Sequence, residues 1–365
     1  MRILFALPGF HRYERGAEVA LLSVADELAK LGESVTVIGA GEPREGVRYR
    51  YKKLGAARRE RFERLPSIPG LRDETKWEDA TFAANLAAKE DLSQYDVTVT
   101  CNFPFTNLAL QRGRRKGPRN VFVTQNGDWP AFSNDSEYRL FNCDGLVCTN
   151  PSYLERNRDR WNCTLIPNGV DVARFTPASS AEKIACRERL KLPQQRPIVL
   201  MVSAFIRTKR VLDGIRAVAQ HDGAHLVVAG DGPLRAEGDR LAAELLPNRF
   251  TRLSLQASEM PQLYRAADVF MHLSEFESFG NVYLEAWASG LPVVAHDFEV
   301  TRWIYGDTQY LCDTGDEAAL EEKLRLALVA PVGKAPEGID QFTWPEIANN
   351  YRNFFSQFAA VSEAK

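Results

Sequence analysis

The sequence predicts an α/β protein made of two doubly wound halves, each built around a mainly parallel sheet. Three observations carry this. Apolar runs of strand length alternate with amphipathic stretches of helical period along most of the chain. The alternation pauses once, at the turn-rich stretch from Leu165 through the linker-like Thr176–Ala181, and then restarts. At 365 residues the chain is long enough for two domains of ordinary size.

In the first half, Arg2–Leu7 reads as a buried strand, Gly9–Gly16 as a glycine-bearing loop and Glu18–Leu31 as an amphipathic helix capped by Gly32. Strands follow at Ser34–Ile38, Asp96–Thr100, Val121–Thr124 and Gly145–Cys148, with helical patterns between them. In the second half, Ile198–Ser203, His225–Ala229, Arg252–Leu255, Val269–Leu273 and Pro292–Ala295 read as strands. Val211–Gln220, Leu234–Leu245 and Glu317–Leu328 read as helices, and Trp344–Phe358 is a last, aromatic-rich helix. Two such halves predict a cleft lined by facing strand ends.

Composition excludes several classes. Hydrophobic residues make up 45% and charged residues 26%, as in ordinary globular protein, and a formal net charge of −2 argues against a dedicated nucleic-acid binder. No apolar run approaches bilayer-spanning length, and the first strand is too short for a signal sequence, so a cytoplasmic location is expected. The six cysteines have no C-x-x-C spacing and read as reduced, small hydrophobes. His221 and His225 flank a turn, which disfavours zinc. The loop Gly9–Gly16 is not G-x-G-x-x-G, which weakens a nicotinamide reading.

The stretch Asp268–Pro292, DVFMHLSEFESFGNVYLEAWASGLP, carries the chemistry. A strand runs into a polar, glycine-bearing loop, and residues Phe279–Ser289 suit a helix stopped by Gly290 and Pro292. In a parallel sheet this loop lies at the carboxyl end of its strand, where ligands bind, and the helix start favours phosphate. Glu277 in the loop and Glu285 two turns into the helix suit hydroxyl groups on either side of a phosphate. Sugar hydroxyls flanking a diphosphate describe a nucleotide-sugar. A glycosidase would place its two carboxylates on opposite sides of one bond, which a single loop and helix do not readily offer.

These motifs resemble the GT-B-fold retaining glycosyltransferases of family 4, also called group 1. Glu277 through Glu285 matches that family's E-x7-E element. Pro167-Asn-Gly-Val-Asp with Phe175 and Pro177, Gly230-Asp-Gly-Pro, and Leu263-Tyr-Arg-Ala-Ala-Asp-Val-Phe match in order and spacing. The resemblance implies two Rossmann-like domains facing each other across a cleft. Residues 1–170 would form an acceptor domain and 171–344 a nucleotide-sugar donor domain, with the helix at 345–365 crossing back to the first and hinges at Pro167–Pro177 and Trp344.

The resemblance also implies roles. Glu277 would bind hydroxyls of the transferred sugar and Glu285 those of the ribose, while the backbone of Ser278, Phe279, Gly280 and Asn281 holds the diphosphate or sugar. Lys209 matches the family's phosphate-binding lysine. The arginine usually found about five positions earlier is replaced by Ala204, and Arg207 is the candidate substitute. Gly16 would approach the diphosphate from the first domain. No D-x-D metal motif occurs, so no divalent metal and no cofactor is expected beyond a donor such as a UDP- or GDP-sugar. Asn126 stands where many relatives have histidine, and it cannot carry a proton at neutral pH. Asp128 is a candidate contact for acceptor hydroxyls, with a local turn as its structural alternative.

From Lys52 to Arg72, seven basic residues stand against two acids, and Gln111–Gly117 adds more. Either this is a solvated loop, or it docks an anionic acceptor such as a lipid-linked phosphosugar at the inner membrane face. The activity so implied is metal-independent, retaining transfer of a sugar to an acceptor hydroxyl in polysaccharide, glycolipid or related glycan synthesis. A nucleotide-sugar epimerase and a catalytically silent sugar-nucleotide-binding subunit are the alternatives on the same fold.

Overall fold

The computed structural model describes residues 1–62, 71, 73–112, 117–133, 135, 138–306, 308–334 and 337–363. The chain divides into two compact units, Met1–Gly169 with Trp344–Lys365, and Val170–Thr343.

The first unit holds a seven-stranded sheet: β1 (Arg2–Ala6), β2 (Ser34–Gly39), β3 (Arg50–Lys53), β4 (Val97–Thr100), β5 (Arg119–Val123), β6 (Gly145–Cys148) and β7 (Cys163–Leu165), in the order 3-2-1-4-5-6-7. All its ladders are parallel. The central strands are apolar on both faces because helices cover both faces; Ile3 to Ala6 are fully buried. The helices are α1 (Gly16–Lys30), α2 (Glu74–Lys89), α3 (Phe105–Leu110), α4 (Trp129–Phe132) and α5 (Pro151–Asn157).

The second unit holds a six-stranded parallel sheet of β8 (Ile198–Val202), β9 (His225–Ala229), β10 (Phe250–Leu253), β11 (Val269–His272), β12 (Val293–His296) and β13 (Leu311–Cys312), in the order 10-9-8-11-12-13. Its helices are α6 (Ser180–Arg189), α7 (Val211–Ala219), α8 (Arg235–Leu245), α9 (Met260–Ala266), α10 (Asn281–Ala288), α11 (Glu299–Tyr305) and α12 (Glu317–Leu328). Ser179 and Glu182 form a capping box that starts α6, and Asp316 caps α12 through the backbone of Ala318 and Ala319.

The last helix, α13 (Trp344–Glu363), belongs to the first unit. Its Ile347, Tyr351, Phe354, Phe355 and Phe358 enter the same core cluster as Leu21 and Leu28 of α1 and Val121 of β5.

Strand order decides where ligands can bind. Chain direction across the sheet reverses between β1 and β4 in the first unit and between β8 and β11 in the second. At such a switch point the loops leaving two neighbouring strands diverge and leave a crevice at their carboxyl ends.

Several elements depart from expectation. β3 was not anticipated, and several cations in and beyond it are held in ion pairs. Lys52 of β3 bonds Glu90 at 2.7 Å, Lys53 pairs with Glu42, and Arg59 bonds the buried Glu78 at 2.6 Å. Ion pairs thus engage three of the five described cations between Lys52 and Arg72. Arg64, Arg72 and residues 113–116 lie outside the described residues. The strand expected at Arg252–Leu255 runs two residues earlier, and α10 starts two residues later than expected. No helix among the described residues is long and apolar enough to cross a membrane.

Candidate active site

The switch point of the second unit gathers the chemistry. β8 ends at Val202, and the next residue, Ser203, is buried with its backbone N–H bonded to Ala229 O at 3.1 Å. The chain then makes a single 3-10 turn, Arg207–Lys209, before α7. The two glycines of Gly230-Asp-Gly-Pro let the β9 loop lie against this segment: a Cβ at Gly230 would stand 2.0 Å from Ser203 O. From the adjacent strand, β11 ends at His272 and passes into the loop Leu273–Gly280.

Glu277 is where the two sides meet. Its Oε1 accepts from Lys209 Nζ and, at 2.8 Å, from His272 Nε2. Burial alone would raise its pKa, but the bonds and charges of His272 and Lys209 outweigh that and hold the carboxyl down at about 2. His272 is itself buried, with Nδ1 3.1 Å from Ser203 Oγ, and its ring packs edge-on to Tyr283 with centroids 5.1 Å apart.

Glu285 occupies the opposite kind of setting. On the second turn of α10 its Oε2 accepts from Tyr264 Oη at 2.8 Å. Burial pushes its pKa above the usual carboxylate value, against the lowering effects of Tyr264 and Arg174. Between the two acids, Gly280 caps α10 with φ +80, a left-handed conformation that L side chains rarely adopt. Ser278 and Asn281 are half-buried on either side of it. Phe279 turns its ring inward, against Trp303 and Phe342, so only its backbone belongs to the site surface.

Of the predicted donor residues, the structure therefore brings Lys209 and Glu277 into contact, with Ser278–Asn281 and Glu285 following on the same segment. Arg207 is exposed and makes no ion pair among the described residues. Arg210, the next cation, is bound by Asp213, Glu275 and Thr314, and so braces the loop rather than facing a ligand.

In the first unit, Gly16 opens α1 at the carboxyl end of β1, beside that sheet's switch point. Asn126 is exposed just beyond β5. Asp128 is corrected. It is 1% exposed, and its carboxylate is taken by Arg156 at 2.8 Å and Asn157 at 2.9 Å, which leaves it unsuited to meet acceptor hydroxyls. Its side chain makes no cap bond to the helix that follows, while its backbone carbonyl accepts from the N–H groups of Ala131 and Phe132 at 2.9 and 3.2 Å.

Sequence reasoning missed His272 and Tyr264 as partners of the two acids, and Ser203 as the partner of His272. The one signal for His272 was its place, a polar residue inside the otherwise apolar strand run just before the acidic loop.

Two Rossmann-like units, the second with a charged site at its switch point, have the architecture of the GT-B class. The model "Glycosyl transferases group 1" matches residues 182–339 and "Glycosyltransferase Family 4" matches residues 15–174. The second unit thus matches the group 1 glycosyltransferases and most of the first matches family 4. It is 30% identical over 199 residues to the lipopolysaccharide core biosynthesis glycosyltransferase LpsE of Rhizobium meliloti, covering 53% of this chain and 55% of that protein. The chain thus spans about half the length of such curated relatives. Its fold is similar to that of sucrose-phosphate synthase from Thermosynechococcus elongatus (TM-score 0.76, 22% identity, 99% of this chain and 100% of that one). It is also similar to that of Anabaena HepE in complex with UDP-glucose (TM-score 0.71, 17% identity, all of both chains).

Proposed function

We propose that the protein is a retaining glycosyltransferase that moves a sugar from a nucleoside diphosphate to an acceptor hydroxyl, in the synthesis of a polysaccharide, glycolipid or related glycan. One observation carries this reading: a lysine and an ionised glutamate meet at a switch point, on a loop leading straight into a helix that bears a second acid. Lys209 and the positive end of α10 suit a diphosphate whose charge grows as the sugar departs. Glu277, ionised at any physiological pH, accepts hydrogen bonds from sugar hydroxyls, and Glu285 with Tyr264 suits the ribose. Lys209 and the helix dipole take the place of a divalent ion, and the leaving phosphate takes the acceptor's proton on the same face, which retains the anomeric configuration. The kinship with LpsE, named for lipopolysaccharide core synthesis, and the likeness to HepE, solved with UDP-glucose, support the donor and product classes.

The test is transfer from UDP-, GDP- and ADP-sugars, chosen by thermal shift, to a panel of saccharide and lipid acceptors in the presence of EDTA. Activity should survive chelation, and Glu277→Ala should lower turnover by roughly a hundredfold or more without unfolding the protein. Near-normal turnover in that variant would sink the site. Product formed from the donor alone would point to an epimerase instead.

A further inference from the structure

Glu277 has two donors on a single oxygen, and they differ in kind. Lys209 reaches Oε1 from a partly exposed 3-10 turn, on a flexible four-carbon stem. His272 reaches the same atom from a fully enclosed position: it is 2% exposed, stacked on Phe270, edge-on to Tyr283, and tied through Nδ1 to Ser203 Oγ. Ser203 in turn is fixed to β9 through its backbone. A ring nitrogen facing a carboxylate oxygen carries a proton whether the ring is neutral or charged, so Nε2–H donates to Glu277 in either state. Oε2 makes no hydrogen bond among the described residues, so both protein donors converge on Oε1 alone.

We propose that His272 is the fixed positioning residue of this site: it holds Glu277 by Oε1 while Lys209 transfers its ammonium to the incoming diphosphate, leaving Oε2 aimed at the hydroxyls of the transferred sugar. The inference rests on the donor-site reading above. On that reading Lys209 has two successive partners, an internal carboxylate without ligand and a phosphate with it. Without a second tether, Glu277 would lose its orientation when Lys209 leaves. The rigid Ser203–His272–Glu277 line supplies that tether and keeps a donor on the carboxylate throughout.

The sugar-specific part of affinity isolates this role. Calorimetric titration of the full chain with UDP, UDP-glucose, GDP and GDP-mannose gives, for the base that binds, the ratio of nucleotide-sugar to bare diphosphate affinity. His272→Phe, which keeps the ring packing, should lower nucleotide-sugar affinity by about tenfold, the scale of one hydrogen bond to a charged group, and leave diphosphate affinity within about threefold. His272→Gln, whose amide reaches the Nε2 position, should restore most of the loss. Ser203→Ala should shift the ratio in the same direction by a smaller factor. Equal weakening of both ligands in His272→Phe, or no weakening of either, overturns the proposal, as does a His272→Gln variant no better than His272→Phe. Glu277→Gln in the same titration separates the two levels. If it leaves the preference for the nucleotide-sugar intact, the donor-site reading fails and takes this inference with it. If it abolishes the preference while His272→Phe is silent, the inference alone fails.

Discussion

Glu277 and Glu285 are the same residue type, eight positions apart on one loop and helix, and their surroundings drive them in opposite directions. Glu277 is half-buried but met by Lys209 and His272, and stays ionised down to about pH 2. Glu285 is half-buried with a neutral phenol as its bonded partner, and desolvation holds its pKa above the usual glutamate value. The linkage signs follow. The depressed Glu277 contributes stability that is fully present above the ordinary glutamate value and is lost as pH falls towards 2. The raised Glu285 opposes folding while ionised, and that opposition is relieved as pH falls through its raised folded value. On acidification Glu285 therefore protonates first, and on the proposed reading it then stops accepting bonds from the ribose while Glu277 still holds the sugar. The donor KM should accordingly rise on the acid side at a pH above the ordinary glutamate value. A nucleotide-sugar is the right probe, because its diphosphate stays fully ionised across that range. Glu285→Gln should bind donor more weakly at neutral pH and lose this acid limb; an unchanged limb in that variant would assign it to another group.

The element that sets this site is the turn from loop to helix at Gly280. Its φ of +80 lies in the left-handed region, and an added Cβ would stand 2.7 Å from the Tyr283 ring, which itself packs on His272. Gly280→Ala combines a backbone penalty with a clash against a buried ring, so a cost of about 1–3 kcal/mol is expected. Thermal melts should show the destabilisation, and donor affinity should fall with it, since the same residue starts α10; an unchanged Tm would mean the turn relaxes freely. Much of this element was legible. The strand, the loop, both acids and the Gly290 stop were read from local pattern, which local sequence determines. What escaped were partnerships over long separation: Ser203 to His272 across 69 positions, and Tyr264 to Glu285 across 21. Asp128 was misread for the same reason, since the turn shows an acid and gives no hint that Arg156 lies 28 positions further on. β3 escaped because Arg-Tyr-Lys-Lys at a sheet edge lacks the apolar signature of a central strand. Lys209 could be matched by motif, yet its bond to Glu277 could not.

At the scale of the molecule, the two units differ in how the chain builds them. The second is continuous, Val170–Thr343, whereas the first is closed by a helix that arrives after the whole second unit has been made. That helix is part of the first unit's core rather than an appendage. Ile347, Tyr351 and Phe355 are almost fully buried, Phe354 and Phe358 nearly so, and the backbone of β6 comes so close that a Cβ on Gly145 would meet the Phe354 and Phe358 rings at 2.8 and 2.7 Å. Each large apolar side chain fully buried contributes about 1.5–3 kcal/mol, so these five together amount to roughly 10 kcal/mol. A domain's whole stability is only about 5–15 kcal/mol. The comparison decides the outcome of ending the chain at Thr343: the first unit should lose its cooperative fold and the second should keep its own. Calorimetry of the truncated chain should show one remaining transition, stabilised by the same nucleoside diphosphate that stabilises the full protein, because Lys209, Glu277 and Glu285 all lie in the continuous unit. Retention of both transitions would mean that α1 and the sheet close the first core without α13. Loss of both would mean that the second unit depends on the first for its stability, and that the donor site is not carried by a self-sufficient domain.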